Sequence, residues 1–245
     1  MLRKFLFLAL QPVNVNSSNL REDMKTDSIQ EIMRVFDTFA EDFDTWFVRN
    51  KEVFLTELNA IIAAQPNGSI LDVGVGSGVF ASRLNVELGI DLSEKMLKIS
   101  SARGLQVVQA DASKLPIRER CFDTVVSTFT VCFVLDEVAM FREISRVMKK
   151  NGKFILGEIT RDSAWGNKYT EEGVKGHRFY SKARFFTLSE TISSLEKTGF
   201  TIRDVYGTLT YSPYDPAYNE KAYHLELDDE DLNRYSFLTL VCYLR

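Results

Sequence analysis

The sequence predicts an α/β fold, a doubly wound and mostly parallel sheet with N-terminal helices, a small cap and a C-terminal antiparallel edge. Three observations point there. A stretch of helical periodicity ends at the breaker Gln65-Pro66-Asn67-Gly68; short apolar strands then alternate with helices from residue 69 to 158; and the first strand runs straight into a glycine-rich turn. Helices between short apolar strands imply right-handed crossovers and parallel pairing.

The elements follow in order. Residues 1–27 open with MLRKFLFLAL, whose apolar run Phe5 to Leu10 is too short for a signal peptide, and continue through an Asn/Ser cluster; they read as a poorly ordered leader. From 28 to 64 Ile29, Ile32, Met33, Phe36, Phe39, Ala40 and Phe43 recur at helical spacing. Strands are expected over 69–73, 87–91, 106–110, 122–128 and 153–158. Between them lie a short helix over 80–84, a helix that Ser93 caps, and a helix over 136–150 closed by Asn151-Gly152. The alternation fails over 160–186, a polar and aromatic stretch read as a lid or acceptor insertion. A helix over 188–197 and strands over 202–208 and 237–244 complete seven strands. The division is therefore one domain over 28–245: helices 28–64, a core 69–159, the insertion 160–186, and a C-terminal part 187–245.

Composition narrows the function. The 245 residues carry 30 Lys plus Arg against 34 Asp plus Glu, a net charge of −4 without the basic field of a nucleic-acid binder. Cys121, Cys132 and Cys242 form no C-x-x-C pair, which suits a reducing, cytoplasmic setting, and with His177 and His224 they make no metal constellation. No segment is long enough for a membrane span. The expected partner is a small molecule, neither nucleic acid nor membrane, for a monomer or homodimer.

The chemistry lies in Ile70-Leu71-Asp72-Val73-Gly74-Val75-Gly76-Ser77-Gly78. Such a strand-turn-helix lets backbone approach a ligand and presents free N–H groups. A dinucleotide fingerprint, G-x-G-x-x-G, requires glycine at 79, where Val79 stands. Downstream, Asp91 ends the second strand, where a carboxylate can accept from both ribose hydroxyls. Asp111 lies in Ala110-Asp111-Ala112, and Phe122-Asp123-Thr124-Val125 leads to Thr128-Phe129.

D-x-G-x-G-x-G resembles motif I of the class I S-adenosylmethionine-dependent methyltransferases, and Phe122-Asp123-Thr124-Val125 resembles their F-D-x-V strand. The resemblance covers about Phe36 to Phe200. It implies a Rossmann-like fold, S-adenosyl-L-methionine as cofactor and S-adenosyl-L-homocysteine as product. It further implies cofactor contacts from Trp46, Asp72, Gly74, Gly76, Gly78, Asp91, Leu92, Met96, Asp111, Ala112, Thr128 and Phe129, with the glycine turn at the amino-acid part and Asp111 at adenine. Phe43-Asp44-Thr45-Trp46-Phe47, Thr130-Val131-Cys132-Phe133-Val134 and Tyr180-Ser181-Lys182-Ala183-Arg184-Phe185-Phe186 resemble motifs of a short prokaryotic group near the ubiquinone-biosynthesis-like branch. Phe43 departs from that group's tyrosine, so any hydroxyl contact there is lost.

Methyl transfer is an in-line displacement governed by position, so no catalytic residue is assigned. Glu158, Tyr180 and Arg184 are candidates for the acceptor pocket. Two other classes stay open: a protein that binds S-adenosylmethionine without transferring methyl, and a nicotinamide-dependent oxidoreductase.

Overall fold

A computed structural model describes residues 19–229 and 231–245, with side chains from residue 28 onward. Helices α1 (Asn19–Thr38), α2 (Ala40–Arg49) and α3 (Lys51–Ala63) precede the sheet. The first nine residues of α1 thus come from the stretch assigned to the leader, while residues 1–18 lie outside the described residues. Strands β1 (Ile70–Val73), β2 (Leu88–Asp91), β3 (Val107–Gln109), β4 (Phe122–Thr128) and β5 (Met148–Ile159) follow, with α4 (Glu94–Ala102) and α5 (Glu137–Val147) among the crossovers. Then come α6 (Ala164–Val174), α7 (Leu188–Lys197), β6 (Phe200–Thr208), β7 (Tyr223–Leu225) and β8 (Phe237–Leu244).

Among the described residues the sheet has eight strands in the order β3-β2-β1-β4-β5-β8-β6-β7. The pairs from β3 through β5 are parallel, and β8 is antiparallel to both β5 and β6. This is the expected Rossmann-like sheet with its antiparallel edge, extended by the three-residue β7. The chain runs outward from β1 to β3 and returns to β4 on the other side of β1. That reversal opens a crevice beyond the carboxyl ends of the strands.

Period-two alternation sends successive side chains to opposite faces. Val126 and Ile155 pack with Phe54 and Ile61 of α3, whereas Val125 and Phe154 pack with Phe141 and Ile144 of α5. Helix starts are fixed locally: Ser93 accepts from Met96 N–H at 3.2 Å, Asp136 from Ala139 N–H at 2.9 Å, and Thr187 with Glu190 forms a reciprocal capping box.

One expectation is corrected. Asn151-Gly152 does not cap α5, which ends at Val147. The pair lies in an irregular start of β5, where Phe122 pairs with Met148 but Thr124 already pairs with Lys153. Glycine is needed there for space, because a Cβ on Gly152 would stand 2.9 Å from the Asp123 carbonyl oxygen.

Candidate functional site

The crevice is a cavity of about 270 Å3, roofed by α1 and α2 and floored by the loops after β1, β2, β3 and β4. Of the residues predicted for the cofactor, Asp72, Gly74, Gly76, Asp91, Leu92, Met96, Asp111, Ala112, Thr128 and Phe129 line it. Trp46 and Gly78 do not. Trp46 packs edge-on against Phe47 (5.2 Å between centroids), and Gly78 lies one step back, where a Cβ would meet Ser100 Oγ at 2.5 Å.

The floor is backbone brought close. Gly74, Gly76 and Gly78 all take left-handed φ angles, at 83°, 53° and 79°, a region that costs other residues energy. The Gly74 and Val75 N–H groups both donate to the Ile90 carbonyl, at 2.7 and 2.8 Å. Asp91 ties the turn to β2: its Oδ2 accepts from Gly76 N–H and its Oδ1 from Ser93 N–H, each at 2.8 Å. Each oxygen keeps lone-pair capacity for a further donor. Asp111 Oδ1 accepts from the Ser113 N–H (2.7 Å) and hydroxyl (2.8 Å).

Asp72 is 3% exposed, and among the described residues its Oδ1 has no hydrogen-bond partner. Burial, helped by the nearby Asp91 charge, pushes its carboxyl up to about 7. Burial also raises Asp91, against the pull of its backbone donors. The lining carries four carboxylates, Asp72, Asp91, Asp111 and Asp136, and among the described residues no lysine or arginine. Such a lining favours a ligand with positive charge over a pyrophosphate. An orphaned buried carboxylate oxygen beside a left-handed glycine turn fits the amino-acid and sulfonium part of S-adenosylmethionine.

Comparison with known proteins agrees. The model of the methyltransferase domain family matches residues 71–156. An uncharacterised protein of Methanocaldococcus jannaschii is 38% identical over 168 residues, 69% of this chain and 82% of its own length. The chain belongs to the S-adenosylmethionine-dependent methyltransferases. An uncharacterised Mycobacterium tuberculosis protein is 32% identical over 192 residues, 76% of this methyltransferase and 66% of its own length. A solved S-adenosylmethionine-dependent methyltransferase from Thermotoga maritima, described as a possible histamine N-methyltransferase, superposes with a TM-score of 0.80. It is 29% identical, with 87% of this chain and all of that one covered. S-adenosylmethionine is accordingly the cofactor of this methyltransferase.

The sequence puts the helix ending at Trp46-Phe47 over the cleft, and that helix does supply part of the roof. No residue of 165–186, expected there too, lines the cavity, and α1 is the part of the roof that sequence reasoning did not place. Ile29, Ile32 and Phe36 of α1 and Phe43 and Phe47 of α2 line the cavity, joined by Phe133 after β4. Phe36 stands at the centre, 4.9 Å from Phe133 and 5.7 Å from Phe43. Asp37 pins this roof to α4, accepting from the Ser93 hydroxyl at 2.6 Å and from Lys95 N–H at 3.1 Å. Arg103 ties α2 to the glycine turn through the Ser77 carbonyl (2.5 Å) and both oxygens of Asp44 (2.7 Å). The apolar stripe of α1 was visible in the sequence, but not what it covers. Phe129, at a left-handed φ of 59°, is a strained non-glycine residue facing the cavity.

The acceptor candidates are not gathered at this cavity. Glu158 is 3% exposed and points at Thr191 of α7, whose hydroxyl donates to it at 3.1 Å. Burial pushes its carboxyl up to about 8. Tyr180 stacks on Tyr169 at 4.3 Å, and Arg184 lies over Phe186 at 4.4 Å. Tyr180 and Arg184 share a separate surface depression of about 440 Å3. Among the described residues no group of acidic, histidine and cysteine side chains is placed to hold a metal, and no helix is long and apolar enough to cross a membrane.

Proposed function

We propose that this methyltransferase moves the methyl group of S-adenosylmethionine onto a small-molecule acceptor, from a cofactor held in the cavity at the β1–β4 switch point. The observation that carries the reading is the lining of four carboxylates around a left-handed glycine turn. The cofactor brings the activated methyl group on a sulfonium.

The chain's own residues do the rest. The Gly74 to Gly78 turn receives the amino-acid part, with Asp72 opposite its ammonium. Asp91 takes the ribose hydroxyls, its carboxylate already aimed by the Gly76 and Ser93 N–H groups. Asp111 and Ala112 meet adenine, with Leu92 and Met96 packing along the nucleoside and Thr128 and Phe129 closing the methyl side. Trp46 acts through Phe47. Phe36, Phe43 and Phe133 exclude water, and fixed alignment supplies the acceleration, worth about 7–11 kcal/mol in well-oriented reactions. The whole works as one domain over 28–245, with 160–186 as the cap on the acceptor side. Three free cysteines fit a reducing cytoplasm.

Calorimetric titration with S-adenosylmethionine and S-adenosylhomocysteine tests this. Micromolar binding to the wild type should weaken about 100-fold or more in Asp91→Ala, which removes charge-assisted bonds worth about 1.5–3 kcal/mol each. Absence of binding to either ligand would overturn the reading.

A further inference from the structure

We propose that the acceptor carries a cationic amine, received on the α3 side of the sheet by Glu57 and the rings of Tyr169, Tyr180 and Tyr211. This rests on the methyltransferase reading above and names the chemical class of its acceptor.

The inward stripe of α3 is Phe54, Glu57, Leu58 and Ile61. Every member but one is apolar. Glu57 is 2% exposed, and its Oε2 is buried with no hydrogen-bond partner among the described residues. Burial holds its carboxyl well above the usual range. Buried polar groups in native proteins are almost always paired.

Its position is fixed by its neighbours on the helix. Phe54, one turn earlier, meets Phe47 at 5.7 Å and Phe80 at 5.0 Å, both in the wall of the cofactor cavity. Ile61, one turn later, fills the notch over Gly157, where a Cβ would lie 2.8 Å from Ile61 Cδ1. Glu57 therefore stands about one helical turn from the cavity wall.

The other walls are aromatic. Trp165 joins Tyr169 (5.9 Å) to Tyr211 (6.0 Å), and Tyr180 stacks on Tyr169. Burial raises all three phenols, and the Glu57 acid lies near enough to each to add to the shift. The Tyr211 hydroxyl, near Thr56, lacks a hydrogen bond of normal geometry, as do the Thr208 and Thr239 hydroxyls on the neighbouring strands. The latter two share the Phe237 face of the sheet, the face that α3 covers. A buried, unpartnered acid close to three phenols and spare hydroxyls offers the recognition chemistry of an ammonium group. Tyr180 also borders the surface depression beneath Gly173 and Ala183, which gives the cap segment a side open to solvent.

The test is calorimetric, on the full-length protein with S-adenosylhomocysteine present. Propylamine, 2-phenylethylamine, histamine and spermidine are compared with the neutral isostere 2-phenylethanol. At least one amine should bind the wild type, and Glu57→Gln should weaken it about 30-fold or more while S-adenosylhomocysteine affinity stays within about twofold. The near-isosteric amide keeps the volume and relieves the burial of the acid, so the Tm should not fall. Tyr211→Phe should weaken the amine more mildly. The proposal is overturned if no amine binds, if 2-phenylethanol binds as well as 2-phenylethylamine, or if Glu57→Gln leaves amine affinity unchanged. Failure to bind S-adenosylhomocysteine would instead sink the cofactor assignment, and amine binding to the cofactor-free protein would still decide the role of Glu57.

Discussion

Replacing Asp72 by Asn should separate what this residue costs the fold from what it gives the cofactor. In the free protein the carboxyl is raised from 3.8 to about 7, first by burial and then by Asp91. A raised acid contributes stability that is full below pH 3.8 and is lost as pH climbs towards 7. At about 1.4 kcal/mol per pH unit, that interval is worth about 4 kcal/mol. Asn keeps the shape and cannot ionise, so its advantage over the wild type should be near zero at pH 4, grow to neutrality and level off above it. For a domain of this size about 4 kcal/mol corresponds to about 8–16 °C in Tm. Binding should move the other way: the ammonium of the cofactor favours the ionised acid, so wild-type affinity for S-adenosylmethionine should rise with pH through about 7, and Asp72→Asn should bind weakly at every pH. Thermal melts of both proteins from pH 4 to 9, with and without cofactor, read both effects. A Tm difference that stays flat with pH, or a variant that binds as well as the wild type, would refute the reasoning.

Two further perturbations probe the frame of the site. Gly74→Ala puts a Cβ at a φ of 83° and 1.9 Å from Thr130 Oγ1; it should cost about 2–4 kcal/mol by melting and abolish cofactor binding, whereas an unchanged Tm would mean the turn is free to relax. Arg103→Met should raise the dissociation constant of S-adenosylmethionine about tenfold, because the bonds from α4 to Ser77 and Asp44 are lost. Asp44→Asn should do the same and the double variant little more, with a cycle coupling of about 1–2 kcal/mol as the check.

Local chemistry made the floor of the cavity legible. Asp72, the glycine turn, Asp91 and Asp111 stand at strand ends in chain order, so each follows from a short stretch whose backbone conformation is set by its own residues. The Ser93 cap and the bounds of α7 and β8 were readable for the same reason. Long-range placement was not. The sequence shows an apolar stripe at Ile29, Ile32 and Phe36, but that it roofs the cavity depends on α1 crossing to α4, where Asp37 meets Ser93. Asn151-Gly152 carries the composition of a helix cap, yet the pairing of Phe122 with Met148 ends the helix early. Glu158, Tyr180 and Arg184 sit in order along the chain, but the fold separates them: Glu158 meets Thr191 of α7, Tyr180 stacks on Tyr169, and Arg184 lies over Phe186. Glu57 looks like an ordinary helix acid until the sheet, α6 and the Tyr211 segment close around it. Local turns and caps are decided by neighbours within a few residues. Which side chains share a cavity is decided by strand order and by helices that meet across dozens of residues, and only the assembled tertiary structure contains that information.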